Sequence, residues 1–213
     1  MSNVILFGGH GKVALLATRT LADRGHAVTS VIRDPAQSDD VRSHGGRPHV
    51  ADIEQQTLTD FAELVHGHDA VVWSAGAGGG SAARTWAIDR DAAVLSMQGA
   101  AKAGVDRYVM VSWSGSVLDH GVPQDDDFFA YAQSKMIADA VLRDSGLRWT
   151  VVAPSTLTDD EPTGSIGWDG SSTQVPRGDV AHVIADALED DTTVGRTIRF
   201  ATGSTPIADF LRG

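Results

Sequence analysis

The chain has 213 residues, enough for one α/β domain that buries roughly 70% of its unfolded surface. Its 28 acidic against 17 basic residues leave a formal charge of -11, which argues against duplex DNA, RNA or an anionic membrane as main partner. No cysteine is present and no long apolar run or charged leader opens the chain, so disulfides and thiol chemistry are excluded and a soluble, cytoplasmic protein is expected.

Val4, Ile5, Leu6 and Phe7 form a bulky apolar run suited to a strand buried on both faces. Gly8, Gly9 and Gly11 interrupt it. From Lys12 onward Val13, Leu16, Ala17 and Leu21 take helical spacing, and Gly25 offers a stop. This is the first half of a βαβ unit, with Gly8, Gly11 and Ala14 at G-x-x-G-x-x-A spacing. Glycines let the backbone reach a pyrophosphate, the small third residue lets helix pack on strand, and the helix's free N–H groups face the anion. Amides beside Gly8 and Gly11 are therefore the expected cradle of a dinucleotide, although a tight glycine turn without a ligand would read the same way.

Ala27 to Ile32 reads as a second strand, followed by Arg33 and Asp34 where the adenosine ribose would lie. Arginine first and acid second favours a 2′-phosphate, hence NADP(H), with NAD(H) as the alternative. Gln37 to His44 is a short helix and Arg47 to Val50 a third strand. Asp52 then either approaches adenine or caps a helix over 54–65. Asp69 to Trp73 is the fourth strand. His66 and His68 before it have no third ligand nearby, so no metal site is expected. The second glycine-rich segment, Ser74 to Ser81, would line the crevice where strand order reverses, or else be a flexible loop. Arg84 to Ala103 is a long helix closed by Gly104, and Arg107 to Val111 a fifth strand ending in Ser112-Trp113-Ser114-Gly115.

Asp125, Asp126 and Asp127 form a solvated acidic run before a helix over 128–145, which carries Tyr131 and Lys135 four residues apart on one face. Coulomb attraction at ~4 Å and an effective dielectric near 20 is about 4 kcal/mol, enough to bring a phenol from about 10 towards neutrality. Such a tyrosine can exchange a proton with a carbonyl or alcohol oxygen held by Ser114 or Ser112. A sixth strand runs over Arg148 to Ala153 and stops at Pro154. The polar segment from Ser155 to Pro176 shows no periodicity and is expected to be a substrate lid or poorly ordered, with Trp168 its large apolar side chain. A helix over 179–188, a strand over 197–201 and a helix over 206–211 complete a single domain.

The stretches FGGHGKVA, VIRDPAQ, Ala51-Asp52, WSAGAGGG, AAKAGVDRYVMVSWSG, YAQSK, VVAPSTLTDDEPTG and RGDVAHVIADAL occur in this order along nearly the whole chain. Together they resemble an atypical short-chain dehydrogenase/reductase of the branch holding NmrA-like proteins and biliverdin reductase B. The resemblance implies a single-domain Rossmann fold: a doubly wound parallel sheet of about six to seven strands, helices on both faces and a cofactor across its C-terminal edge. It implies Gly8, Gly11 and Lys12 at the pyrophosphate, Arg33 at the 2′-phosphate and Asp52 near adenine. Ala75 and Gly76 fall towards the ribose and nicotinamide, and Pro154, Ser155 and Thr156 at the nicotinamide. Gly9, His10, Val13, Ile53, Ser74 and Lys135 complete the candidate cofactor set. His10 replaces a small polar residue of the family, Ala14 its third glycine, and Ser155 the glycine that often follows the proline.

Tyr131, Lys135 and Ser114 match the superfamily's catalytic trio, with Ser112 a neighbouring candidate. The expected activity is an NAD(P)H-dependent reduction of a small carbonyl or conjugated acceptor, with Tyr131 as proton donor. An NmrA-like module that senses NADP(H) without turnover is the alternative; the part after strand six is short for a nucleotide-sugar subdomain. A small-molecule substrate is the expected partner, and a monomer or weak homo-oligomer the expected state.

Overall fold

A computed structural model describes residues 1–79 and 81–213; Gly80, inside the second glycine-rich segment, lies outside the described residues. Strands β1 (Asn3–Phe7), β2 (Ala27–Ile32), β3 (Arg47–Val50), β4 (Ala70–Trp73), β5 (Arg107–Val111) and β6 (Arg148–Pro154) all run parallel. The strand Arg196–Thr202 (β10) joins β6 in the same direction. Three-residue strands β7 (Thr156–Thr158), β8 (Ser165–Gly167) and β9 (Gln174–Pro176) lie between them in sequence, and β11 (Thr205–Pro206) follows. The main sheet has the order β11-β8-β10-β6-β5-β4-β1-β2-β3, with β8 and β11 added antiparallel at one edge, and β7 pairs with β9 in a small parallel ladder.

Alternation along β1 shows why the sheet is covered twice. Val4 and Leu6 point to one face, where they meet Val13, Ala17 and Leu21 of α1 (Lys12–Asp23) and Val180 and Ile184 of α7 (Arg177–Glu189). Ile5 and Phe7 point to the other, onto Phe61 of α3 (Leu58–Val65), Met97 of α5 (Ala93–Ala103) and Leu142 of α6 (Phe129–Arg143). Phe7 stacks edge-on to Phe61 at 5.6 Å and lies 5.4 Å from Trp73, so the second core is aromatic at its centre.

Four expectations are corrected. The main sheet has nine strands where about six to seven were expected, because the short antiparallel strands β8 and β11 extend the edge beyond β10. The segment 155–176 is not featureless, because β7, β8 and β9 pair with each other or extend the sheet edge. The third helix starts at Leu58 rather than 54: Thr57 and Asp60 close a reciprocal capping box, so Asp52 is not its N-cap. The helix over 84–103 begins earlier, as α4 (Ala82–Thr85), and passes through a π-helical turn, Trp86–Ala92, before α5. Among the described residues no helix is long and apolar enough to cross a membrane.

Candidate functional site

The chain leaves β1 for β2 on one side and later returns to β4 on the other, so the crevice opens above the C-terminal ends of β1 and β4. The two glycine segments meet there. Gly8 has φ +80°, and a Cβ on it would lie 2.5 Å from the Ala75 Cα; a Cβ on Gly9 would lie 2.7 Å from the Ser30 Cβ. Only glycine fits both positions. The Gly9 amide donates to Val31 O (2.8 Å) and the Gly11 amide to Gly8 O (2.9 Å), so the fold itself uses both. The amides left without a protein acceptor among the described residues belong to Gly8, to His10 and to Lys12, Val13 and Ala14 in the first turn of α1.

Three contiguous cavities run along this edge, and every candidate residue lines at least one of them. The first, of about 260 Å³, is walled by Gly8, Gly9, His10, Gly11, Arg33, Asp52 and Ile53, with Ser74, Ala75 and Gly76 opposite. The second, of about 550 Å³, shares Gly11 and residues 74–76 with the first and adds Lys12, Val13, Ser112, Tyr131 and Lys135. The third, of about 750 Å³, shares Ser112 and Tyr131 with the second and adds Ser114, Pro154, Ser155 and Thr156.

Cations gather at the first two. Arg33 is exposed and has no ion-pair partner among the described residues. Lys12 Nζ and Arg177 Nη1 each approach a different oxygen of Asp159 at 2.7 Å, which holds that carboxyl below the usual carboxylate range, Lys12 contributing most. His10 is tied to Asp40 at 2.8 Å instead of pointing freely into the cradle. Arg84 reaches Glu54 at 3.4 Å and the Ala77 carbonyl at 3.2 Å. A glycine cradle that no Cβ could enter, free helix-start amides and an unpaired arginine past β2 together fit a nicotinamide dinucleotide.

The Tyr131–Lys135 pair departs from the expected chemistry. Lys135 Nζ stands 5.8 Å from the Tyr131 ring centre; it donates to Val111 O (3.2 Å) and Ala75 O (3.5 Å) and forms an ion pair with Asp89 Oδ1 at 3.3 Å. Burial pulls the Lys135 ammonium down, but Asp89 chiefly, then Tyr131 and Asp139, hold it above its ordinary value. Burial also pushes the Tyr131 phenol up; attraction to Lys135 opposes this, while Asp89 and Asp139 reinforce it. The expected drop towards neutrality is therefore corrected: Tyr131 stays a neutral phenol, because burial outweighs the attraction to Lys135, which Asp89 and Asp139 further offset.

Ser112 and Ser116 both donate to Asp139 Oδ2 at 2.6 Å, and burial lifts that carboxyl above its usual range despite these bonds. Ser112 thus presents an oxygen, not a proton, to the crevice. Ser114, anchored by its amide to Pro154 O at 2.9 Å, has a hydroxyl with no protein partner among the described residues. Sequence reading missed Asp89 and Asp139. Asp139 stands four residues after Lys135 on one helix face, a signal that was available; Asp89 is an acid beside the buried Ile88 and Ala92, a weaker one. Gln37, Arg84 and Arg177 were also missed, and their cavity-lining places have no local sequence mark.

A family model described as NAD(P)H-binding matches residues 8–191. A UPF0659 protein of Schizosaccharomyces pombe is 30% identical over 234 residues, covering 100% of this chain and 95% of its own. A solved structure from Bacillus halodurans, named as a candidate NAD-dependent epimerase/dehydratase, superposes with a TM-score of 0.91 at 32% identity, covering 100% of this chain and 99% of that one. An oxidoreductase from Lactococcus lactis does so with a TM-score of 0.86 at 27% identity, covering 98% and 95%. With its glycine turn, parallel sheet and crevice, the chain belongs to the NAD(P)H-binding family and has the fold of an atypical short-chain dehydrogenase/reductase.

Proposed function

We propose that the protein is an NAD(P)H-dependent reductase of a small carbonyl or conjugated acceptor, with NADP(H) preferred. One observation carries the reading: Ser112 and Tyr131 border both the second and the third cavity, so the phenol stands where cofactor space meets acceptor space. Gly8, His10, Lys12 and Val13 would hold the pyrophosphate, with Gly9 and Gly11 giving the turn its close backbone approach, Arg33 the 2′-phosphate, and Asp52 and Ile53 the adenine side. Ser74, Ala75 and Gly76 would face the ribose, with Pro154, Ser155 and Thr156 at the nicotinamide. When bound, the reduced nicotinamide supplies a hydride. Tyr131, protonated at neutral pH, gives its phenolic proton to the acceptor oxygen, and Ser114 Oγ–H steadies that oxygen. Lys135 fixes the ends of β4 and β5 through the Ala75 and Val111 carbonyls and so positions the site.

A second reading, an NADP(H)-sensing module without turnover, draws on the pairing of Lys135 with Asp89, which leaves Tyr131 without a net activating charge. The names of some relatives add epimerase chemistry, but the chain after β6 returns to the sheet and its covering helix and builds no separate subdomain. Tyr131→Phe discriminates the first two readings. Loss of NADPH oxidation with intact cofactor binding supports the reductase; a wild-type protein that oxidises NADPH with no member of an aldehyde, ketone and quinone panel overturns it.

A further inference from the structure

The third cavity differs in chemistry from the two beside it. Its lining has no Lys, Arg, His, Asp or Glu among the described residues. One wall is aromatic: Phe128 lies edge-on to Trp113 at 5.1 Å and 5.0 Å from Tyr131, and Trp113 is 6.4 Å from Tyr131. Trp168 (52%) and Phe128 (43%) keep large exposed surfaces beside this space. Hydroxyls of Ser114, Ser155 and Thr173 are the polar complement.

Charge outside the cavity adds to the contrast. Asp125, Asp126 and Asp127 directly precede Phe128 in the chain, and Asp169 sits between the lining residues Trp168 and Gly170; all four are exposed. The cofactor end of the same crevice carries Arg33, Lys12, Arg84 and Arg177. An anion entering the third cavity would lose hydration, find no cation and meet carboxylates at the approach. A flat neutral ring would gain aromatic contact area with no charge to desolvate.

We infer that this cavity selects an uncharged, aromatic-ring carbonyl compound and rejects anions, including nucleotide sugars, phosphorylated flavins and carboxylic acids. The inference rests on the reading of the third cavity as the acceptor site. It extends that reading by naming what the acceptor must carry and what it must lack.

Calorimetric titration of the full chain, with and without NADP⁺, tests this free of turnover. The probes are 2-acetylnaphthalene, the isosteric anion 2-naphthoate and uridine diphosphate glucose. The neutral ketone is expected to bind at least about tenfold more tightly than the carboxylate, about 1.4 kcal/mol by the tenfold rule, and the nucleotide sugar not at all. Trp168→Ala and Trp113→Leu should each weaken the ketone severalfold. Equal or tighter binding of either anion overturns the inference, as does failure of the ketone to bind or indifference of its binding to both tryptophan variants. If the ketone binds under these rules yet no aldehyde, ketone or quinone of the panel is reduced by NADPH, the selectivity stands and the reductase reading fails; the two outcomes are distinct.

Discussion

Asp89 and Lys135 face each other at 3.3 Å with side chains 0% and 4% exposed, on two helices that cross beneath the crevice. Asp89 also accepts the Ala77 amide at 2.9 Å, so this one pair fastens the second glycine segment to the helix that carries Tyr131. Removing one member of a buried pair typically costs about 3–5 kcal/mol, because the other charge stays behind. Lys135→Met is expected to lower unfolding free energy by about 3 kcal/mol in urea titration, and Asp89→Asn by less, since the Ala77 amide keeps an acceptor. The double variant should cost clearly less than the sum of the singles. Additive losses would show that the two charges do not depend on each other.

Burial first, and then the same pair, set the phenol. The chain has two tyrosines, and Tyr108 is fully buried with its pKa raised by burial. Ultraviolet difference titration of the Tyr108→Phe variant should show Tyr131 ionising above the usual tyrosine value. Adding Asp89→Asn should move that ionisation to lower pH by removing a carboxylate beside Tyr131 and leaving the Lys135 charge unopposed by it. A wild-type phenolate near neutrality would contradict the balance of charges described above.

Asp139 gives the pH dependence a sign. Its folded-state pKa lies above the ordinary carboxylate value, so the folded chain holds this proton more firmly than the unfolded one. Across the window from the ordinary value up to the raised one, stability falls as pH rises. Asp139→Asn should flatten that fall and be no less stable than the parent at neutral pH, because its amide oxygen can still accept from Ser112 and Ser116. Asp139→Ala leaves two buried hydroxyls without their acceptor and should cost about 2 kcal/mol or more. Chemical denaturation followed from about pH 4 to 7 checks both.

The role proposed for Arg33 is the choice between cofactors. Thermal unfolding with NADPH or NADH at 100 times the dissociation constant should show a stabilisation of about 2.7 kcal/mol. Arg33→Ala should remove most of the preference for NADPH and leave NADH binding nearly unchanged. An unaltered ratio of the two affinities would assign the 2′-phosphate elsewhere.

What could be read in the sequence follows from where each constraint lies. Six of the seven parallel strands of the main sheet are apolar or β-branched runs whose pattern is local, the exposed Arg47–Val50 at the edge being the exception, and the glycines at 8, 9 and 11 declare a backbone requirement by themselves. The strands at 156–158, 165–167 and 174–176 are three residues each, and partners distant in the chain define them, so no periodicity marks them. The capping box at Thr57 and Asp60 was present in the sequence, but Asp52 and Glu54 offered a competing helix start. Tyr131 and Lys135 were legible as a pair. Their counter-charge was not, because Asp89 lies on another helix and reaches Lys135 through a π-helical turn, whose register depends on tertiary packing.

Asp159 has a last implication, for salt. With one oxygen on Lys12 and the other on Arg177, it already occupies the cationic notch these two side chains form beside the first turn of α1. An anion arriving there exchanges places with a group the chain itself owns, and that tethered rival is never diluted away. The electrostatic gain on arrival is a difference between two similar anions, so affinity should respond only weakly to ionic strength, and Asp159→Ala should both tighten binding and steepen that response.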